Sequence, residues 1–133
     1  MKKILLTLLF FIVYSKSFSQ NDDFQYVVSA KDGTEVYVLF EKDNYGIKEF
    51  WVKMIPPFKN VKNKKGKLIK TGGGYTLEFF KMNCSDKTYS TSDGIKYNQN
   101  GDVVQTNYYE TFDEKIIPGT VLSGVYKYIC ETE

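Results

Sequence analysis

The sequence predicts an α+β fold that is mostly β, an antiparallel sheet with one C-terminal helix packed on a face. Three observations predict it. Short runs rich in Tyr, Phe, Val, Ile and Thr are separated by Gly, Asn and Asp. Near the C-terminus the apolar spacing changes to three and four residues. Cys84 and Cys130 are the chain's only cysteines, and they read as one disulfide closing its C-terminal half.

Ahead of the strand signals, Lys2 and Lys3 precede the apolar run from Ile4 to Val13, and Ser17-Phe18-Ser19 puts small residues where a signal peptidase reads. This predicts a signal peptide over residues 1–19, cleaved after Ser19, and a single domain over residues 20–133. The run is shorter than the roughly 20 residues that span a bilayer, and no second hydrophobic stretch follows. No transmembrane segment is expected, and no cysteine stands at the cleavage junction to carry a lipid. The expected location is the periplasm, the cell surface or the secreted medium.

The first strand pair is Phe24 to Ala30 and Thr34 to Phe40 around Lys31-Asp32-Gly33, since Asp-Gly between two such runs favours a tight hairpin. Gly46 to Ile55 is a third strand carrying Trp51, ended by Pro56-Pro57, which removes two backbone donors. Phe58 to Gly74 then holds Lys59, Lys62, Lys64, Lys65, Lys67 and Lys70 with no acid and closes on Gly72-Gly73-Gly74. This stretch reads as a long mobile loop, with Lys67 to Lys70 as a short edge strand and the glycines as a hinge. The triplet lacks the frame of a phosphate-binding loop.

Tyr75 to Asn83 is a strand with Tyr75, Leu77 and Phe79 on one face and Thr76, Glu78 and Phe80 on the other. Lys87 to Tyr97 and Val103 to Tyr109 pair across Asn98-Gln99-Asn100-Gly101-Asp102, whose Asn-Gly step supplies positive φ. Pro118 suits the first turn of a helix, in which Val121, Leu122, Val125, Tyr126 and Ile129 recur on one face. Cys130 lies on that face, four residues after Tyr126, so its sulfur is expected where helix meets sheet. Gly124 inside the run costs about 1 kcal/mol relative to Ala.

Leu77 to Cys130 resembles the surface-adhesin protein E family of secreted bacterial envelope proteins. The resemblance rests on an ordered set: Asn83-Cys84, Lys87-Thr88-Tyr89, Tyr97 through Val104, Ile117-Pro118-Gly119-Thr120 and Tyr126 through Cys130. At Thr120 the chain departs from the Pro-Gly-Ser usual in the family. The resemblance implies an antiparallel sheet of about six strands, a C-terminal helix tied to it by Cys84 and Cys130, and Pro118 with Gly119 leading into the helix. The family's namesake binds host matrix and serum proteins. The lysine-rich segment lies outside the resemblance, so adhesive specificity does not extend to it.

Composition excludes several function classes. The chain has no histidine and no arginine, so it lacks the usual general base near neutral pH, the commonest metal ligand and the bidentate fork for carboxylate or phosphate. The net charge of +2 falls to −1 after cleavage, because Lys2, Lys3 and Lys16 leave with the signal and fifteen lysines face sixteen acids. No nucleic-acid partner is expected from that balance. The cysteine pair has no C-x-x-C spacing and no third ligand, which favours structure over redox or metal chemistry.

Glu110, Asp113 and Glu114 read as surface acids able to approach the lysines within or between subunits, and only weakly as glycosidase carboxylates. Tyr108, Tyr109 and Phe112 beside them read as sheet packing ahead of a partner-binding edge. Asn83-Cys84-Ser85 is a formal glycosylation sequon, discounted because a disulfide cysteine stands in its middle. The expected function is that of a noncatalytic, adhesin-like or partner-binding protein of the envelope, with no cofactor and no metal. The alternative is a small periplasmic enzyme inhibitor or a module that captures an apolar molecule between helix and sheet. The candidate binding residues are Lys59, Lys62, Lys64, Lys65, Lys67 and Lys70; the candidate partners are a host or envelope protein or an acidic polysaccharide, with a homodimer also open.

Overall fold

A computed structural model describes residues 23–108 and 110–132; the signal peptide read over residues 1–19 lies outside them, as does Tyr109. Strands β1 (Gln25–Ser29), β2 (Glu35–Asn44), β3 (Ile47–Ile55), β4 (Lys59–Lys62), β5 (Leu68–Thr71), β6 (Tyr75–Asn83), β7 (Thr88–Tyr97), β8 (Val103–Tyr108) and β9 (Glu114–Lys115) precede a helix, α1 (Val121–Tyr126), that runs into a π-helical turn over Lys127–Glu131. The main sheet follows the order β1-β2-β3-β6-β7-β8, with β9 pairing beside β8 on the same strand β7. Every pairing is antiparallel. The mostly β, α+β architecture with a disulfide-tied C-terminal helix is therefore the one expected.

The turns explain the order. Between β1 and β2, Gly33 takes φ 87° and the Asp32 carboxylate accepts from the Thr34 N–H at 3.0 Å. Between β2 and β3, Tyr45 and Gly46 both hold positive φ, 53° and 86°, which matches the twist of a tight hairpin. The turn carries β2 on to Asn44, beyond the Phe40 at which the sequence reading ended it, while β3 keeps the bounds read for it to within one residue. Between β7 and β8, the Asn98 side-chain oxygen accepts from the N–H groups of Asn100 and Asp102 at 2.8 and 3.0 Å, and Gly101 takes φ 85°.

Alternation along the strands gives the sheet one covered face and one aromatic face. Val36 and Val38 of β2, Phe50 and Val52 of β3, and Phe80 and Met82 of β6 form the buried core with Val125 of α1. Phe50 stacks on Phe80 with ring centres 5.7 Å apart. On the other face Trp51 lies 5.2 Å from Phe79, and Tyr75 stacks on Tyr97 at 4.5 Å. Both faces of β6 follow the alternation read from its sequence.

The helix differs from its expected form. Pro118 stands outside it: Thr120 is the N-cap, its hydroxyl accepting from the Ser123 N–H at 3.3 Å, and α1 begins at Val121. Pro118 and Gly119, the latter at φ 79°, make the turn that leads into this cap. A threonine with extended backbone can accept from the first helical N–H groups, and proline cannot. The second half of the apolar run is a π-helical turn, whose i to i+5 bonding replaces the expected α spacing up to Cys130. Thr132 Oγ1 donates to the carbonyls of Lys127 and Tyr128 at 3.2 and 2.7 Å and caps its end.

Candidate functional site

The segment read as a mobile loop with a short edge strand at Lys67 to Lys70 is a second, two-stranded sheet, a ribbon of β4 and β5 inserted between β3 and β6; the expected strand is β5, one residue further on, and β4 replaces the loop ahead of it. Lys59 pairs with Thr71, Asn60 with Lys70, Val61 with Ile69 and Lys62 with Leu68. Asn63 fixes the turn: its main-chain N–H donates to the Lys67 carbonyl at 2.8 Å, and its side-chain oxygen accepts from the N–H groups of Lys65 and Lys67 at 2.9 and 3.0 Å. Gly66 supplies φ 76° there. These are the bonds made at Asn98, from the same Asn-x-x-Gly-x spacing. At the base, Lys70 Nζ sits 3.9 Å above the ring of Phe58.

The hinge reading of Gly72-Gly73-Gly74 gives way to steric necessity. Gly72 and Gly73 hold φ 110° and 81°, and Phe58 packs against both. A Cβ on Gly74 would collide with the Tyr97 carbonyl oxygen. Only glycine lets the chain return from the ribbon to β6 so close to its neighbours.

All six predicted lysines, Lys59, Lys62, Lys64, Lys65, Lys67 and Lys70, are exposed on this ribbon. Pairing and pleat put Lys62 and Lys70 on one face with the exposed Leu68, while Lys64 and Lys65 occupy the turn. The described ion pairs, Lys42 with Glu49 at 3.3 Å and Lys48 with Asp43 at 2.6 Å, involve none of them. The predicted acids make other contacts: the Asp113 N–H donates to Ser90 Oγ at 3.2 Å, and Glu114 accepts from the Tyr89 hydroxyl at 2.7 Å. Tyr108 and Phe112, expected to pack, are 80% and 73% exposed at the β8 edge and in the loop beyond it.

The predicted pair Cys84 and Cys130 is joined, with Cα atoms 5.6 Å apart, and links the end of β6 to the π-helical turn. Beside it the Tyr126 hydroxyl donates to the Cys84 carbonyl at 3.1 Å. Asn83, the sequon residue, is occupied locally, accepting from the Ser85 and Asp86 N–H groups at 3.0 and 3.1 Å.

A feature no motif announced lies between α1 and the sheet, a cavity of about 350 Å³. Val36, Val52, Met54 and Phe80 form its floor and Val121, Leu122 and Val125 its roof. Tyr89, Thr91, Thr111, Glu78 and Glu114 close one side. The hydrogen bond to Glu114 raises the Tyr89 phenol above its usual pKa of 10.0, with burial and the negative charges of Glu114 and Glu78 adding to the shift. The sequence reading allows a module that captures an apolar molecule between helix and sheet, with Val121, Leu122 and Val125 on one helical face, and puts Glu78 on the same strand face as Phe80; Thr91 and Thr111 carry no signal.

Among the described residues, no helix is long and apolar enough to cross a membrane, and no cluster of three His, Cys, Asp or Glu side chains could hold a metal. Comparison of the chain with known protein families, with curated proteins and with solved structures finds no match.

Proposed function

We propose that the protein is a noncatalytic, exported protein of the bacterial envelope that uses the β4–β5 ribbon to hold an acidic polysaccharide. One observation carries this reading: six lysines stand exposed on a fixed two-stranded ribbon, with no acid between Phe58 and Gly74 to neutralise them. Clustered like charge produces a positive potential that draws a polyanion and retains it over several contacts. Lysine suits the purpose, because an ammonium on a flexible stem satisfies scattered sulfate or carboxylate groups without a fixed fork geometry. Export is supported by the signal-like residues 1–19 and the disulfide, which persists in oxidising compartments. The resemblance of Leu77 to Cys130 to surface-adhesin protein E proteins supports an envelope location; the polyanion-binding role rests on the ribbon alone.

The test is retention on a heparin-type polyanion as salt is raised. Wild-type protein is expected to bind and to elute with increasing salt, because exposed charges are screened within about 8 Å at 0.15 M. Changing Lys62, Lys64 and Lys65 together to Glu is expected to abolish retention while leaving the melting temperature nearly unchanged. Retention of that variant at physiological salt sinks the reading.

A further inference from the structure

The helix–sheet cavity is separate from the ribbon: none of the six ribbon lysines lines it. At about 350 Å³ it falls at the lower end of the roughly 300–1,000 Å³ typical of small-molecule sites. Its floor and roof are aliphatic or aromatic, and an apolar space of this kind takes up an apolar body. Its wall adds a pair of hydroxyls. Thr91 pairs with Phe80 across β6 and β7, so its side chain lies on the covered face, and it is only 6% exposed. Thr111 Oγ1 accepts from the Thr91 N–H at 3.0 Å and stands 3.1 Å from Thr91 Oγ1. Whichever hydroxyl donates to the other, one hydroxyl hydrogen is not used between them, and Thr91 Oγ1 keeps an acceptor lone pair. The pair thus presents one donor and one acceptor.

We infer that this cavity binds a small uncharged alcohol with a straight apolar chain, the chain lying between Phe80, Leu122 and Val125 and its hydroxyl meeting the Thr91–Thr111 pair. An alcohol oxygen both donates and accepts, which is what the pair can answer. The burial of that hydroxyl is then offset by hydrogen bonds, and the chain leaves water for apolar contact. A carboxylate head has no hydrogen to give to Thr91 and would bury a charge among neutral hydroxyls. It would also meet Glu114, which lines the wall, is exposed to water and keeps its own charge while bonded to the neutral Tyr89 phenol. Glu78 is engaged within the fold and has no part in holding the guest.

The experiment titrates 1-hexanol, hexanoate and 1-hexene into the oxidised protein at pH 7 and follows the Leu122 and Val125 methyls by NMR. 1-Hexanol is expected to shift those signals and to bind roughly tenfold more tightly than hexanoate, whose charge resists burial. Thr91→Val keeps the side chain's shape and removes its oxygen. It is expected to weaken 1-hexanol about fivefold, the equivalent of one net hydrogen bond. 1-Hexene, which has no hydroxyl, should bind Thr91→Val as it binds the unmodified protein and so reports that the cavity is intact. Leu122→Trp, which fills the space, should weaken both neutral ligands. Hexanoate binding as tightly as 1-hexanol overturns the inference, and so does 1-hexanol affinity that Thr91→Val leaves unchanged. Binding that leaves Leu122 and Val125 unmoved, or no binding of 1-hexanol, overturns it as well. The comparison of alcohol with carboxylate needs no variant to fold, and its outcome is independent of polyanion retention.

Discussion

The Tyr126 hydroxyl donates to the main-chain carbonyl of Cys84 at 3.1 Å, so the helix is fastened to the end of β6 by a hydrogen bond as well as by the disulfide to Cys130. The two restraints act on the same junction. The α-helical part is only Val121–Tyr126, far shorter than the 12–15 residues at which isolated helices become even marginal in water. Its persistence depends on Val125 in the core and on this junction.

Reduction of the disulfide is therefore expected to loosen the helix first. Releasing a 46-residue separation should cost about 4 kcal/mol of chain-entropy stabilisation. Tyr126→Phe should cost about 1 kcal/mol, the usual net value of one hydrogen bond. Thermal and denaturant melts followed by circular dichroism check both. If the reduced protein melts at the same temperature with its helical signal intact, the pair is not what holds the helix.

Two glycines should respond in opposite directions to alanine. At Gly124, in α1, an added Cβ would meet the Val28 methyls at 3.5 Å, an ordinary contact. Gly124→Ala is thus expected to stabilise by about 0.5–1 kcal/mol, through helix propensity. A lower denaturation midpoint would show that α1 must approach β1 more closely than this distance implies.

At Gly74 the same methyl would strike the Tyr97 carbonyl, a backbone atom held in the β6–β7 ladder. Gly74→Ala is expected to destabilise by about 1–3 kcal/mol, the usual cost of overpacking. Denaturant unfolding reads the difference, and a neutral result would mean that β6 and β7 can separate there without loss.

The strand order was legible wherever a turn announced itself. Asp32-Gly33 and Asn100-Gly101 marked hairpins, and the alternation from Tyr75 to Asn83 assigned Phe80 to the core and Phe79 to the other face. Asn63-x-x-Gly66-x carries the same spacing as Asn98-x-x-Gly101-x, but the lysines around it suggested solvated loop. Charge obscured a turn signal, because exposed strands need no apolar alternation. The cavity was less legible: Glu78, Tyr89, Thr91, Thr111 and Glu114 come from three separate stretches, and only the β6–β7 register and the return of the chain through Thr111 bring them together. The π-helical turn was hidden because Ile129 and Cys130 satisfy an α spacing as well.

The Tyr89–Glu114 contact makes a pH-dependent prediction. Because the Tyr89 pKa is raised in the folded protein, chiefly by its hydrogen bond to Glu114, folding favours the protonated phenol. Its contribution to stability is fully present below the unfolded pKa of about 10 and is lost as pH rises through the higher folded value. Glu114→Gln should move the Tyr89 titration, read from ring carbon shifts, downward toward the ordinary value and reduce this alkaline loss. Glu78 also contributes to the raised pKa, so Glu78→Gln should move it in the same direction by less. An unchanged Tyr89 midpoint in Glu114→Gln would contradict the assignment.

Asn63 offers a way to separate the charge of the ribbon from its shape. A two-stranded ribbon is marginal alone, and here one side-chain oxygen, accepting from Lys65 and Lys67, adds to the main-chain bonds of its turn. Asn63→Ala keeps all six lysines but removes both acceptor bonds. The core residues lie in β2, β3, β6 and α1, so global stability should shift by no more than about 0.5 kcal/mol. Hydrogen exchange at the Lys67 amide should nevertheless accelerate, and polyanion affinity should fall as the lysines lose their common placement. If exchange accelerates while affinity stays constant, binding depends on the number of lysines alone. If exchange itself is unchanged, the ribbon is held from its base by Phe58 against Gly72 and Gly73 and not from its turn.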